Sequence, residues 1–227
     1  MKIPLTRFGL PQLAAYPGAV LLVMIALPWL GAAWLPMWGL VSVEVPLAVV
    51  VVWMLSFFRD PERYAPQDDR ALLSPADGRI TDITILNEPA FIQGPALRIG
   101  IFLSIFNVHI NRMPCPVRVE GASHKPGQYR NAMNPESSRV NESNDVYLTR
   151  LPDPPDRLVV RQISGAIARR IVCQVTPGQT FQSGERFGMI KFGSRTELYV
   201  AHRNNQVCCV KVGDRVKAGL TVLARYP

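Results

Sequence analysis

Hydrophobic and polar positions divide this chain into two unlike parts. From Phe8 to Phe58 the residues are almost uniformly apolar, and Glu44 is the one formal charge in the stretch. A bilayer-spanning helix needs about 20 apolar residues. This run holds two such segments, Tyr16 to Leu35 and Trp38 to Phe58, with Pro36 and Gly39 supplying the break. Beyond residue 58 the pattern changes to short apolar runs rich in Val, Ile, Phe and Thr and bounded by Gly, Pro or Asp, which is the signature of strands. These runs are Ile80 to Leu86, Leu97 to Leu103, Leu158 to Ile163, Ile167 to Val175, Met189 to Phe192, Glu197 to Val200 and Val207 to Val212. The best helical pattern in this part is a weak one, Ile105 to Asn111. The chain is therefore expected to be mostly β, a sandwich or barrel over residues 59 to 227, preceded by an N-terminal hydrophobic helical hairpin in residues 1 to 58.

A short internal repeat refines the β part. Val175, Gly178, Phe181 and Gly184 share the spacing V-x-x-G-x-x-[FV]-x-x-G with Val210, Gly213, Val216 and Gly219. Two glycines around a central apolar residue describe strand, tight turn and strand, as in the interlocked β-hammerheads of lipoyl and biotinyl carriers. A carrier needs a lysine at the hairpin tip in a Met-Lys-Met or Asp-Lys-Ala setting, and neither copy has one. The likeness is one of fold, not of carrier function.

Charge sharpens the division. Of 25 basic and 17 acidic residues, 23 and 16 lie after residue 58, a net +7. A basic domain on an apolar anchor suits anionic lipid headgroups, near which each Lys or Arg gains roughly 1 kcal/mol. Nucleic acid fits less well, because the basic residues form no long run and all four Trp fall in the apolar segment. Lys2 and Arg7 precede the two apolar segments, while Arg59, Arg63 and Arg70 follow them, so the positive-inside rule puts both ends in the cytoplasm. Trp34 and Trp38 flank the break at headgroup level. A signal peptide would leave the second segment unexplained. Pro17, Pro28 and Pro46 interrupt clean helices, so a monotopic hairpin stays open beside a spanning one. Cys115, Cys173, Cys208 and Cys209 form no C-x-x-C pair, and His109, His124 and His202 do not fall at zinc spacing around them. No metal is expected, and the thiols read as small buried groups in a reducing compartment.

Three segments carry candidate chemistry. Gly193-Ser194 is the only Gly-Ser dipeptide, and it interrupts what would otherwise be one strand. Asp77 sits in a tight turn before a strand, within Ser74-Pro75-Ala76-Asp77-Gly78. His109 lies in the apolar, polar-edged stretch Asn107 to Arg112. Each has an ordinary local reading: a bulge, an Asp-Gly turn and a hydrogen-bonded structural His. Together they are the residue types that activate a hydroxyl, His taking the proton and Asp fixing its tautomer.

These motifs occur in order with others, and over nearly its whole length the chain resembles phosphatidylserine decarboxylase proenzymes of the short prokaryotic, pyruvoyl-dependent form. The resemblance rests on Phe57-Phe58-Arg59-Asp60-Pro61-Glu62-Arg63, Ser74-Pro75-Ala76-Asp77-Gly78, Val108-His109-Ile110-Asn111-Arg112, Lys125-Pro126-Gly127-Gln128-Tyr129, Asn141-Glu142 and Phe192-Gly193-Ser194. It implies an enzyme that makes its own cofactor. His109, oriented by Asp77, deprotonates Ser194, whose oxygen attacks the Gly193 carbonyl. The resulting ester eliminates residues 1 to 193 as the β chain and leaves a dehydroalanine, which hydrolyses to a pyruvoyl group at the head of the α chain, residues 194 to 227. The two chains stay together as a heterodimer, and the order of any higher oligomer is left open. The pyruvoyl ketone forms a Schiff base with phosphatidylserine and accepts the electrons freed as carbon dioxide leaves, giving phosphatidylethanolamine. Arg112, Lys125, Arg130 and Arg195 are the residues available to the lipid phosphate or carboxylate.

Two departures matter. Longer members of that family carry a Thr where this chain has Arg195 and a second His where it has Phe106. His124 and His202 match no motif. Rival readings are a non-catalytic, membrane-anchored β-hammerhead module for lipid or protein, and a serine hydrolase, which the lack of a G-x-S-x-G elbow disfavours.

Overall fold

The computed structural model describes residues 5–10, 12–31, 34–88, 90–134, 136–153, 155–166, 170–191 and 193–226. Two compact units divide the chain, Met1–Glu62 and Arg63–Pro227. The break falls four residues beyond the expected one, because residues just after the apolar run still belong to the first unit: Leu5 bridges Arg59 and the Thr6 N–H donates to the Phe58 carbonyl at 2.9 Å.

The first unit is a helical hairpin of α1 (Gln12–Gly31) and α2 (Met37–Phe57), both long and apolar enough to cross a membrane. Pro17 and Pro28 lie inside α1 and Pro46 inside α2 without ending either helix. Each proline removes a single donor, and the rest of the backbone ladder continues around it. The first helix lies N-terminal to its expected position because the turn claims its end: the N–H groups of Trp34 and Leu35 both donate to the Gly31 carbonyl, and Pro36 caps α2 in an extended conformation. The contacts of residues 5 and 6 with 58 and 59 bring the two ends of the hairpin to one side.

The second unit is built of strands β1 (Ala71–Leu73), β2 (Gly78–Glu88), β3 (Gly94–Leu103), β4 (Ile110–Arg112), β5 (Val117–Lys125), β6 (Ser143–Arg150), β7 (Arg157–Ile163), β8 (Ile171–Cys173), β9 (Thr180–Phe181), β10 (Arg186–Ile190), β11 (Ser194–Ala201), β12 (Val207–Cys208), β13 (Arg215–Val216) and β14 (Val222–Arg225), with one helical turn, α3 (Ser137–Val140), before β6. Eight form one antiparallel sheet in the order β13-β2-β3-β11-β7-β6-β5-β9. Two three-stranded sheets, β1-β14-β12 and β4-β10-β8, complete the fold. Alternation explains the outer strands: in β5, Val117 and Val119 point inward while Arg118 and Glu120 point out. The inner strand β11 is buried along Ser194 to Val200.

The internal repeat is realised at the two edges of the large sheet. Phe181 of β9 and Val216 of β13 are the central apolar residues of the two copies, and both are buried. All four repeat glycines take positive φ, 85° and 75° at Gly178 and Gly184, 96° and 70° at Gly213 and Gly219. The second glycines of the two copies meet, so that a Cβ on Gly219 would stand 3.1 Å from the Gly184 Cα.

Some expectations change. Residues 105 to 111 are not helical: Asn107 Oδ1 accepts from both the N–H and the hydroxyl of Ser104, closing a turn that feeds directly into β4. Such side chains compete with the helix for backbone donors. The strand expected at 207 to 212 stops at Cys208. Residues 171 to 173 are the only strand in the run expected from 167 to 175, of which 167 to 169 lie outside the described residues. The strand expected to start at Met189 begins at Arg186, and Phe192 lies outside the described residues. Cys115 is buried, and that burial pushes its thiol up to about 12. Cys208 and Cys209, expected to be buried, are both exposed because β12 is a two-residue edge. Truncating fully buried Ile101 in the middle of β3 to Ala should destabilise the domain by about 2–5 kcal/mol. Denaturant unfolding of the full chain measures it.

Candidate active site

The residues singled out by sequence arrive from different sheets. Ser194 opens β11 and pairs with Leu103 of β3. His109 ends the loop after β3 and directly precedes β4, which pairs with β10. Residues 191 to 193 join β10 to β11, and the Gly193-Ser194 bond is the junction of that link with β11. Side chains join the two strands: Asn111 Nδ2 donates to Thr196 Oγ1 at 3.2 Å and to the Pro75 carbonyl at 3.4 Å. Gln162 Nε2 donates to Asn111 Oδ1 at 2.9 Å, and Asn144 Nδ2 to Gln162 Oε1 at 3.1 Å. Residues two apart on a strand share a face, so Thr196 fixes the position of Ser194 while Asn111 fixes that of His109.

The His109 ring is fully buried, with Nδ1 2.9 Å from the Asn107 carbonyl. A carbonyl only accepts, so Nδ1 carries the proton and Nε2 is left with its lone pair. That lone pair accepts the Gly193 N–H at 3.3 Å. The Nε2 lone pair therefore lies against the peptide unit that precedes the Gly193-Ser194 bond. Ser194 Oγ is buried and has no hydrogen-bond partner, leaving the hydroxyl uncommitted. Gly193 has φ of 61°, a left-handed conformation costly for other residues.

Asp77 is held elsewhere. Its oxygens accept both Nη atoms of Arg63, at 2.5 and 2.8 Å, and the Ala218 N–H at 2.8 Å. The orientation of His109 that sequence assigned to Asp77 comes from the Asn107 carbonyl, while Asp77 ties the segment after the anchor to the second repeat.

The basic candidates separate by burial. Arg195 is wholly buried, donating to Glu197 Oε1 at 2.8 Å, Thr81 Oγ1 at 2.6 Å and Asp82 Oδ2 at 2.5 Å. Burial works against its charge, yet Glu197 and Asp82 more than offset this and hold its pKa above the ordinary value. An arginine so committed is structural, not a lipid ligand. Arg112 is buried too, with Nη1 donating to the Gly184 carbonyl at 2.9 Å, where the repeats meet. Lys125 and Arg130 are exposed. Phe106, in place of the second His, is exposed as well. His124 pairs with Glu142 at 2.9 Å.

The structure gives positions of consequence to residues that sequence left without a role. Asn141 is fully buried: its Oδ1 accepts the Arg130 N–H at 2.9 Å, and its Nδ2 donates to the carbonyls of Arg130 and Ser164, each at 2.8 Å. This staples residue 164 in place, and the next residue, Gly165, lies against the scissile carbonyl: a Cβ there would stand 2.1 Å from the Gly193 oxygen. No local pattern marks Gly165, since what it meets is 28 residues away in sequence. Lys191, two residues before Gly193, is largely buried, and burial with Arg170 alongside pushes its ammonium below the ordinary value. An apolar cleft of about 330 Å³ opens at Gly193, lined by Phe102, Ser104, Ile105, Ala132, Met133 and Ala166 among others. Among the described residues no cluster of His, Cys, Asp or Glu could hold a metal ion.

Comparison with known proteins decides which family uses this arrangement. The family model for phosphatidylserine decarboxylase matches residues 51–224. The chain belongs to the phosphatidylserine decarboxylase family. It is similar to a phosphatidylserine decarboxylase proenzyme of Rhodopirellula baltica, 42% identical over 226 residues, which covers 99% of this chain and 89% of the relative. The proenzyme of the same name from Gluconacetobacter diazotrophicus is 41% identical over 233 residues, 99% of this chain and 97% of its own. That from Desulfotalea psychrophila is 42% identical over 177 residues, 78% and 81% of the two chains. Membership covers both the site and most of the β unit.

Gly165→Ala should slow chain cleavage at least a hundredfold, because its Cβ would displace the Gly193 carbonyl itself, and should also lower the unfolding midpoint of the Ser194→Ala background. Gly188→Ala is the comparison, because a Cβ there meets the Val172 carbonyl at 2.3 Å rather than Gly193. It should lower stability by a similar amount and slow cleavage far less.

Proposed function

We propose that the chain is a self-processing phosphatidylserine decarboxylase that cleaves itself between Gly193 and Ser194 and forms its pyruvoyl group from Ser194. The observation that carries this is the buried trio of Gly193 N–H, His109 Nε2 and the unpartnered Ser194 hydroxyl. His109 takes the Ser194 proton through Nε2 as Oγ attacks the Gly193 carbonyl, and the peptide bond becomes an ester. Removal of the Ser194 Cα proton then expels the Gly193 carboxylate, and hydrolysis of the resulting terminal enamine releases ammonia. Across the whole sequence one water is gained and one ammonia lost. The left-handed Gly193 and the bare Gly165 leave the carbonyl open to attack, and burial keeps water from competing for the ester.

The group that results sits at the floor of the cleft at Gly193, where its ketone supplies an electron sink for a primary amine. The apolar lining there, with the polar rim of Asn131 and Ser104, suits an amphiphile's headgroup end and excludes bulk water. Residues 1–193 and 194–227 remain paired as β and α chains, since β11 is hydrogen-bonded to β3 and β7 on either side. The hairpin of residues 1 to 58 anchors the catalytic unit to the cytoplasmic face of the membrane, where the lipid resides.

Intact-mass measurement tests the cleavage. Wild type should give two chains whose masses sum to the precursor plus water minus ammonia, and Ser194→Ala a single chain of 25.2 kDa. A wild-type chain that stays whole, or that releases no carbon dioxide from phosphatidylserine, favours the non-catalytic module. Deleting residues 1 to 58 should spare cleavage and lower turnover of bilayer lipid at least tenfold relative to dispersed lipid. Equal loss of both would make the hairpin a folding element.

A further inference from the structure

The apolar lining of the cleft continues out onto the surface. Phe106 is 68% exposed, Met133 56% and Tyr129 42%; other large apolar side chains of the unit, such as Ile85 and Val207, are exposed elsewhere, but these three stand on the loops whose residues line the cleft. Met133 lines the cleft, and Phe106 follows Ile105, which also lines it. These residues lie on two loops, 104 to 109 and 128 to 134, that both contribute to the lining of the cleft at Gly193.

Cations lie on and next to the second of these loops. Lys125, Arg130 and Arg139 are exposed, and Glu136 is the one acid between residues 124 and 139. The hydrogen bonds of Lys125 and Arg130 go to neutral acceptors, the Arg139 carbonyl at 3.3 Å and Gln128 Oε1 at 2.6 Å. By contrast Arg63, Arg98, Arg161 and Arg203 of the same unit are each paired with a carboxylate. Exposed apolar side chains beside cations bonded to neutral acceptors match the layers of an anionic bilayer surface, where apolar groups reach the acyl boundary and cations meet the phosphates.

We propose that the loops 104 to 109 and 128 to 134 form a lip that inserts into an anionic lipid surface, with Phe106 as its leading apolar side chain, so that the cleft at Gly193 opens directly into the headgroup layer. This rests on the decarboxylase reading for its substrate and adds a membrane contact separate from the hairpin.

The test compares full-length wild type, Phe106→Ser and Phe106→Leu. One substrate is a short-chain phosphatidylserine presented to enzyme in neutral detergent. The other is long-chain phosphatidylserine in phosphatidylglycerol vesicles that carry the enzyme. Phe106→Ser should cleave into two chains normally, stay within twofold of wild type on the short-chain lipid and lose at least tenfold on vesicles through KM, with Phe106→Leu restoring the loss. Equal loss on both substrates, or none on vesicles, overturns the lip. So does a change in oligomeric state on Phe106→Ser, which would make the patch a protein interface. A second measurement needs no turnover: in Ser194→Ala protein, amide exchange in residues 104 to 109 and 128 to 134 should be slower in phosphatidylglycerol nanodiscs than in phosphatidylcholine ones. Equal exchange overturns the lip whether or not the chain proves to be a decarboxylase.

Discussion

His109 and Ser194 are brought together by hydrogen bonds on either side of them. β4 and β11 belong to different sheets and share no backbone ladder, and Asn111 reaching Thr196 ties them beside the bond from the Gly193 N–H to His109. Asn111 is in turn held by Gln162, and Gln162 by Asn144, in a row of buried amides. A buried amide left unpaired costs about 1–3 kcal/mol, and each member of the row removes that cost for its neighbour. The row is therefore stable as a whole and poorly tolerant of gaps. It also fixes a register: slipping β11 by one residue would turn both Thr196 and Ser194 away from β4.

A second set of contacts acts on the carbonyl to be attacked. Asn141 ties residue 130 to residue 164, and the residue after that, Gly165, is pressed against the Gly193 oxygen. Two separate asparagines thus hold the segments that carry His109 and Gly165, the two residues in contact with Gly193. The motif residues Asp77 and Arg112 serve a third place, the meeting of the two repeats, through the backbone of Ala218 and the Gly184 carbonyl. Arg63 joins that cluster from the first residue of the β unit. Being in a motif with the site does not make a residue part of its chemistry.

The proposed membrane location accounts for two kinds of apolar surface. The hairpin exposes Leu, Val and Trp along whole helices, whereas the β unit exposes large apolar groups singly, with Phe106, Tyr129 and Met133 on the loops that line the cleft. A water-soluble substrate would need neither. A lipid whose tails stay in the bilayer must meet the cleft at the surface, so the division of the chain into an apolar and a basic part and the apolar cleft mouth answer the same constraint.

Much of this was legible in the order of residues. Two runs of about 20 apolar residues dictate a hairpin in any apolar solvent, because each helix satisfies its own backbone. The strands Ile80 to Leu86, Leu97 to Leu103 and Leu158 to Ile163 follow from β-branched runs between turn residues, and the repeat spacing foretold the two edge turns. Ser194, Gly193 and His109 could be named because the motifs that hold them are local. The partners of Asp77, Arg112 and Arg195 could not, since a side chain's charge is in the sequence but its burial is not. Val117 to Lys125 and Ser143 to Arg150 were missed as strands because half their positions are polar and only the neighbouring strands make extension worthwhile. Gly165 had no signal at all. Its importance is a distance of 2.1 Å to an atom far along the chain, and such distances exist only once the sheets have packed.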